Sequence, residues 1–349
     1  MGSKVNPESI LIIRLSAIGD VVMASGVIPA FRRAFPHAKI DWLVQSECSE
    51  LLQGTQDLNS VWVWPRKQWS ELLRQGKFLR LASEGRSLVK SLRRQKYDLV
   101  LDLQGLWKSG VWALLSGGSR RIGLRSSEGG WLTMSEVVAA GEDTRISSEY
   151  RILLEHLGIE ADGFGLGLQC SREDVHRVRE LLEAYKVNNP VALICPFTTR
   201  PQKHWLESRW SNLAERLESE LGFQVLMLGG SSDTKAAKRI QQGSRAEIVS
   251  LVGKTTLRQS LALIKQANLV IGVDTGLTHM AVLSDIPTVA LFGPTKPYLH
   301  TDNQQATVLY HPYSCSPCKR SPVCSGEYPC MGEHEVDTVF MKAQNLIRI

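Results

Sequence analysis

Short apolar runs recur along this chain, each halted by a Gly- or Asp-containing turn and followed by a stretch with apolar positions at helical spacing. Ile10-Leu-Ile-Ile-Arg-Leu15 opens the pattern, Ser16-Ala-Ile-Gly-Asp20 interrupts it, and Val21 to Arg33 reads as a helix. A short run this apolar fits a strand covered on both faces, so it belongs in a parallel sheet and its turn leads into a crossover helix. Lys39 to Val44 and Asn59 to Trp64 supply two more strands, a helix runs from about Phe78 to Gln95, and Tyr97 to Leu103 returns as a strand. Arg121 to Leu124 is the next strand, followed by a long loop around Ser126 to Gly130 and a helix from Ser147 to Leu157. Alternation of this kind implies right-handed βαβ crossovers.

Patterning weakens between Gly158 and Cys170, where glycines accumulate, and a hinge is expected there. The chain then divides into an amino-terminal domain, 1–170, and a carboxy-terminal domain, 171–349. A charged helix from Ser171 to Tyr185 leads to the strand Pro190 to Cys195, the helix Ser208 to Leu221, the strand Gln224 to Leu228 and the helix Thr234 to Gln242. Ile248 to Val252, Val270 to Val273 and Pro287 to Phe292 complete the strands, the last of these being the expected final one. Each half is therefore a complete α/β unit of nucleotide-binding type.

Composition narrows the class. With 349 residues, 43% hydrophobic and 22% charged, the chain is an ordinary globular protein of two-domain size. No stretch approaches the roughly 18 uninterrupted apolar residues of a membrane helix. The first residues lack the basic and apolar regions of a secretory signal, so the cytosol is the expected compartment. The net charge of +6 is unevenly spread: between Arg66 and Lys96 stand ten Lys and Arg against Glu71 and Glu84. Such a segment is either a solvated helix face or a patch for a polyanion, such as an anionic membrane surface, a phosphorylated acceptor or a nucleic acid.

Three strand-ending loops of the second half carry the chemistry. They should lie along one sheet edge, where open α/β folds bind ligands. Thr198, Thr199 and Lys203 follow the first strand, and two hydroxyls with an ammonium suit a diphosphate. Asp233, behind Gly229-Gly230, suits a ribose diol. Asp274-Thr275-Gly276-Leu277 ends an apolar run and opens a helix carrying His279, so unpaired amides and a positive helix end can meet a phosphate or sugar hydroxyls. Any one of these is ordinary turn chemistry; together they favour a nucleotide site. Neither half has a full G-x-G-x-x-G or G-x-x-x-x-G-K-[ST], which argues against a dehydrogenase or a P-loop NTPase.

Leu15-Ser-Ala-Ile-Gly-Asp20, Asp102-Leu-Gln-Gly105, Thr198-Thr-Arg-Pro-Gln-Lys203-His-Trp205, Asp274-Thr-Gly-Leu-Thr-His279 and Phe292-Gly-Pro-Thr295 resemble, in order and spacing, the glycosyltransferase family 9 heptosyltransferases of lipopolysaccharide inner-core synthesis. The resemblance runs from about Ile10 to Val336. It implies the GT-B fold, two facing Rossmann-like domains with an interdomain cleft, and transfer of heptose from ADP-heptose to Kdo-lipid A or heptosyl-Kdo, with inversion and without a required metal. By position it makes Asp20 the general base, against the simpler reading that Asp20 caps the first helix. Lys203 would stabilise the departing ADP with Thr198 and Thr199, Asp274 would contact the heptose, and the amides from Thr275 to Leu277 the phosphates. Asp233 would take the ribose and Thr255 would border the adenine, with Ser16 and His279 also at the donor. Ala17 stands where relatives often have a second hydroxyl, and around Thr144 to Tyr150 the pattern departs, so Glu149 and Arg151 receive no acceptor role. The basic segment would face a phosphorylated, membrane-embedded acceptor, with the enzyme peripheral on the cytoplasmic face of the inner membrane and with no nucleic acid partner. A transferase or epimerase using another nucleotide sugar, and a non-catalytic polyanion-binding protein, are the competing readings.

Four of the seven cysteines, Cys315, Cys318, Cys324 and Cys330, fall within sixteen residues. Four thiolates so close suit a structural zinc or iron-sulfur centre, and free or paired thiols are the alternative. Cys48, Cys170 and Cys195 read as isolated thiols.

Overall fold

Twelve strands form two separate parallel sheets in the computed structural model, which describes residues 6–126, 128–139, 141–318 and 321–347. The amino-terminal stretch read above, Met1 to Val5, and Ser127 of the expected long loop lie outside the described residues. The first sheet contains β1 (Ser9–Ile13), β2 (Lys39–Gln45), β3 (Ser60–Trp64), β4 (Leu99–Asp102), β5 (Arg120–Leu124) and β6 (Glu136–Val138), in the order β3-β2-β1-β4-β5-β6. The second contains β7 (Val191–Cys195), β8 (Gln224–Met227), β9 (Val249–Ser250), β10 (Leu269–Val273), β11 (Thr288–Phe292) and β12 (Ala306–Tyr310), in the order β12-β11-β10-β7-β8-β9. Numbered from its own first strand, each sheet has the order 3-2-1-4-5-6 of a doubly wound dinucleotide-type fold.

The chain separates into two units, one of Met1–Asp143 with Ser147–Gln169, the other of Thr144–Ile146 with Cys170–Ile349. Thr144–Ile146 goes with the second unit because its backbone bonds there: Leu299 donates to the Thr144 carbonyl at 2.8 Å and Ile146 to that of His300 at 2.9 Å.

Why these segments become central strands follows from burial. Ile10, Leu11, Ile12 and Ile13 are all fully buried, with Ile10 set between Ile40 and Leu99 on the flanking strands. Each such side chain contributes about 1.5–3 kcal/mol once removed from water, which a one-sided strand could not collect at every position. In the second unit Leu193 and Val270 face each other across β7 and β10 with the same complete burial. Helix starts are set locally. Ser171 caps the helix Arg172–Ala184, its Oγ accepting from the Asp174 amide at 3.0 Å while Asp174 accepts from the Ser171 amide at 2.9 Å.

Several elements were not foreseen. The helix expected from about Phe78 to Gln95 is found as Phe78–Arg94, and a further helix, Arg66–Arg74, precedes it across a turn at Gly76, whose φ of +70° suits glycine. The expected final strand at Thr288–Phe292 has an outer neighbour, β12, which pairs with it from Ala306 to Tyr310 and is buried only in part. The short β6 and the carboxy-terminal helix Val336–Ile347 also lay outside the pattern reading. The strands β6 and β12 lie at sheet edges and are only partly buried, whereas the carboxy-terminal helix buries Val339, Phe340, Ala343 and Leu346 at helical spacing. Among the described residues no helix is long and apolar enough to cross a membrane.

Candidate active site

Both units concentrate their polar groups where the strand order reverses, between β1 and β4 in one and between β7 and β10 in the other. At such a point neighbouring crossovers run to opposite faces and leave an opening beyond the strand ends.

In the first unit β1 delivers Arg14 to this point, nearly buried for a guanidinium. Its Nη1 donates to the Leu103 carbonyl at 2.6 Å, beyond β4, and its Nη2 meets Asp20 Oδ2 at 2.6 Å. Asp20 sits in the first turn of the helix Ile18–Ala24, and the same Oδ2 accepts from the Ala17 amide at 3.0 Å. Asp20 is thus a helix-start carboxylate, and its side chain is still 38% exposed. Ser16, half-buried, occupies the turn between strand and helix, beside Leu15, whose amide donates to Gln104 Oε1 at 3.0 Å. Tyr150, fully buried, places its hydroxyl 3.5 Å from the Asp20 carbonyl and its ring 5.8 Å from the Arg14 guanidinium.

In the second unit Asp274 is the centre. Lys203 Nζ lies 2.5 Å from its Oδ2, Thr295 Oγ1 donates to that oxygen at 2.6 Å, and His279 Nε2 lies 3.2 Å from Oδ1. Burial alone raises the energy of this carboxylate, but the hydrogen bond and charge of His279 and the charge of Lys203 outweigh it and hold the group well below the usual carboxylate range. His279 is fixed from behind by Tyr298, whose hydroxyl is 3.0 Å from Nδ1 and whose ionisation is pushed far up by burial and by Asp274. One face of the carboxylate is therefore wrapped in donors.

The helix Gly276–Leu283 starts at this point. Thr275 precedes it in an extended conformation without a side-chain cap, so the first-turn amides have no partner within the helix. The helix can press this closely on β10 because Gly272 has no side chain. A Cβ there would stand 2.2 Å from Thr278 Oγ1 and 2.9 Å from Cys195 Cβ. Thr278 itself is tied to the Val273 carbonyl at 2.7 Å.

The remaining residues singled out in the sequence lie on adjacent loops. Thr198 and Thr199 follow β7, and the Thr198 carbonyl lies 2.9 Å from His204 Nε2, which shapes the loop that carries Lys203. Asp233 follows β8 and accepts from the Gly230 amide at 2.8 Å. Thr255, beyond β9, is 2.9 Å from Ser260 Oγ, and its loop is joined to that of Asp233 by the Gly253 amide bonding the Gly229 carbonyl at 3.0 Å. Lys203, Asp274 and His279 are thus in direct contact, Thr275 to Leu277 continue the same loop, and Asp233 and Thr255 form a second group two strands away.

The chain as a whole has counterparts among known proteins. The family model for glycosyltransferase family 9 (heptosyltransferase) matches residues 85–328, more than half of the chain. The chain belongs to glycosyltransferase family 9. It is a glycosyltransferase, of the two-domain GT-B type. Lipopolysaccharide heptosyltransferase 1 of Pseudomonas aeruginosa is 28% identical over 322 residues, covering 88% of this chain and 85% of that protein. Lipopolysaccharide core heptosyltransferase OpsX of Haemophilus influenzae is 23% identical over 307 residues, with 85% and 84% covered. A family 9 glycosyltransferase from Veillonella parvula shares the fold with a TM-score of 0.84 at 19% identity, covering 98% of this chain and 97% of that one. The E. coli heptosyltransferase WaaC, solved with ADP-2-deoxy-2-fluoro heptose, has a TM-score of 0.70 at 21% identity, with 97% and 99% covered.

Within this family 9 chain the cysteine segment packs behind the Phe292-Gly-Pro-Thr295 loop. The Cys318 amide donates to the Pro294 carbonyl at 3.0 Å, and Cys330 Sγ stands 2.9 Å from where a Cβ on Gly293 would be. All seven cysteines are free, and among the described residues no group of three or more ligand side chains is arranged to hold a metal ion. Burial, then the neighbouring thiols, push Cys318 and Cys330 up.

Arg14, Tyr150, Thr295 and Tyr298 have no part assigned from the sequence. Arg14 was legible as a lone charge closing an apolar strand, and Thr295 as the polar end of the Phe-Gly-Pro-Thr run. Tyr298 has no local signal, since only the fold brings it behind His279.

Proposed function

We propose that this glycosyltransferase moves heptose from ADP-heptose to the lipopolysaccharide inner core, with inversion at the anomeric carbon. The observation that carries the reading is the Asp274 cluster. A buried carboxylate clasped by Lys203, His279 and Thr295, beside an uncapped helix start, offers both a sugar-binding oxygen and cationic and amide donors for a diphosphate. The names and bound nucleotide sugar of the relatives support the donor.

In this reading the acceptor hydroxyl attacks the anomeric carbon as the bond to the diphosphate breaks, ADP departs towards Lys203, Thr198 and Thr199, and Asp20 takes the hydroxyl proton. Amides from Thr275 to Leu277 hold phosphate oxygens, Asp274 orients the heptose, Asp233 binds the ribose and Thr255 borders the adenine, while Ser16 and His279 line the donor. Bringing Asp20 of the amino-terminal domain, 1–170, to a donor held by the domain 171–349 makes turnover depend on domain closure. No metal takes part in the transfer. Cys315, Cys318, Cys324 and Cys330 support the loop behind Thr295, and metal analysis of the purified protein decides whether they do so as ligands or as thiols. The enzyme works at the cytoplasmic face of a membrane whose surface is anionic.

The test is transfer from ADP-heptose to defined inner-core acceptors, followed by mass spectrometry. Wild type should add one heptose, and Asp20→Ala should lose about 10²–10⁴-fold in kcat, the usual contribution of a general base. Normal turnover by Asp20→Ala removes the assigned base. Absence of product from any heptose donor removes the function, and tighter calorimetric binding of UDP or GDP than ADP moves the donor elsewhere.

A further inference from the structure

A surface of the first unit far along the chain from Asp20 combines three features not used by the transfer chemistry. The helices Arg66–Arg74 and Phe78–Arg94 form a hairpin, pinned by Trp69 Nε1 donating to Glu84 Oε2 at 2.9 Å. Around its turn three large apolar side chains point to solvent: Leu73 is 54% exposed, Phe78 61% and Leu79 90%. Further along, a groove of about 800 Å³ has an apolar floor of Trp69, Gly85, Val89, Trp112 and Leu115. Its rim carries Arg86, Lys90, Arg93 and Arg94.

The rim charge is uncompensated. The two acids of the segment are taken, Glu71 by Arg74 and Glu84 by Arg80 and Trp69. Among the described residues no carboxylate pairs with Arg86, Lys90 or Arg94, and Arg93 donates to the Leu115 carbonyl. At helical spacing Leu79, Arg86, Lys90 and Arg94 share one stripe, so the apolar tip and the cations face the same way. A purely solvated basic face would explain the cations but neither Leu79 nor the groove. A nucleic acid would meet the charge and could stack on Phe78, but it would leave Leu73 and Leu79 without an apolar partner. A surface with anionic headgroups above an apolar interior satisfies all three features.

We infer that this face docks the enzyme on an anionic lipid bilayer: Leu73, Phe78 and Leu79 enter the interface, Arg86, Lys90, Arg93 and Arg94 meet phosphate headgroups, and the Trp69–Trp112 groove takes an acyl chain. The inference deepens the proposed function, which sets the acceptor at an anionic membrane, and it is tested without the transfer reaction. Gly85 matters because a Cβ there lies in ordinary contact, 3.8 Å from Trp69, so a larger side chain extends into the groove without forcing the helices apart.

The experiment is flotation of the full-length protein with phosphatidylcholine vesicles, with and without phosphatidylglycerol. Wild type should float only with the anionic vesicles. Each cation near such a surface is worth on the order of fivefold in partition, so Arg86→Gln, Lys90→Gln and Arg94→Gln combined should lower it on the order of 100-fold. Phe78→Ser with Leu79→Ser should lower it at least about tenfold, at an unchanged melting temperature because both positions are exposed. Brominated phosphatidylglycerol should quench indole emission in wild type and less in Gly85→Leu. Equal flotation of wild type and the charge variant overturns the proposal, as does equal quenching with Gly85→Leu. So does salt-sensitive retention on oligonucleotides without vesicle binding, or a dimer that the tip variant dissolves. Heptose transfer to a soluble, deacylated acceptor should persist in all these variants; its absence in wild type counts against the proposed function instead.

Discussion

Asp102 and Asp274 occupy corresponding places, each at the carboxyl end of the fourth strand of its sheet, beside the reversal of strand order, yet their ionisation is driven in opposite directions. Asp102 is fully buried, and burial pushes its carboxyl up to about 6. Its partners are all neutral and from its own loop: the Gln104 amide at 2.9 Å, the Gly105 amide at 3.2 Å and Ser109 Oγ at 2.9 Å. Asp274 has cationic and imidazole partners from other segments, Lys203 after β7 and His279 along the helix that follows, and is held low. A carboxylate that binds its own loop shapes a turn, whereas one held by side chains from two segments is part of a site. The first unit places its cation differently: Arg14 reaches past Asp102 to the more exposed Asp20. Both reversals thus pair one carboxylate with one cation, and in the proposed reaction the exposed pair would serve the acceptor and the buried pair the donor.

On the donor side the largest expected effect breaks the buried pair. Lys203→Ala removes the cation paired with Asp274, which in the proposed reaction would meet the leaving diphosphate, and kcat should fall about 10²–10³-fold, the range seen when one charge-stabilising donor is lost. ADP binding by calorimetry should weaken in parallel. Because Lys203 also compensates Asp274, the double variant with Asp274→Asn should lose less than the sum of the two single losses. Strict additivity would show that the pair does not act as one unit.

Acid separates the two units with opposite signs. His334, buried, with Nε2 at 2.8 Å from the Phe292 carbonyl, is brought down to about 4 by burial against that hydrogen bond. Between pH 6.5 and 4 the unfolded chain then holds a proton that the native imidazole does not, so the second unit loses stability as pH falls, by up to roughly 3 kcal/mol. Asp102 works the other way. Its native carboxyl takes up a proton below about 6 and the unfolded one only near 4, so the first unit gains roughly 3 kcal/mol over that window as pH falls. Amide hydrogen exchange at pH 6 and pH 4 should show protection falling around β11 and rising around β4. His334→Gln should flatten the first trend and Asp102→Asn the second; parallel changes in both units would contradict the assignment.

The exposed pair is expected to be worth less. Arg14→Met leaves Asp20 with only the Ala17 amide on Oδ2, so kcat should drop about tenfold, with the KM for ADP-heptose unchanged. Arg14→Lys should restore part of the rate. A change in KM alone, or no rescue by lysine, would make Arg14 a packing residue only.

How much of this was readable beforehand follows from what each signal depends on. Strands such as Ile10–Ile13 and Leu269–Val273 announce themselves because complete burial demands an unbroken apolar run. The loops carrying Lys203, Asp233 and Asp274 follow from those strands, since a parallel sheet brings its carboxyl ends to one edge. The helix Arg66–Arg74 did not show because it buries only Leu72 and is polar around most of its circumference, and β12, half-buried at every position, has no alternation of buried and exposed residues. Within the site, the reading named Asp274 and His279 from their own run but could not supply Tyr298, which reaches His279 only through the fold. Asp20 illustrates a different limit. Of its two sequence readings the cap is the one seen, since Oδ2 bonds the Ala17 amide as well as Arg14, and the base is the proposal that turnover of Asp20→Ala tests.

Thr295 offers the finest test of the comparison. Its Oγ1 shares Asp274 Oδ2 with Lys203, and the same loop is backed by the cysteine segment through Cys318 and Pro294. Thr295→Val keeps the shape of the side chain and removes one hydrogen bond from a carboxylate that has two other partners. The loss should be about 1.5–3 kcal/mol if the hydroxyl holds the charged group against burial, and near 1 kcal/mol or less if Lys203 and His279 suffice. Denaturant unfolding gives the stability cost, and kcat with ADP-heptose gives the catalytic one. If Asp274 orients the sugar, kcat should fall severalfold even when stability barely changes, because the freed Oδ2 would turn towards Lys203. If kcat follows stability alone, Asp274 is a second Asp102, a carboxylate that shapes its loop, and the distinction between the two strand ends fails.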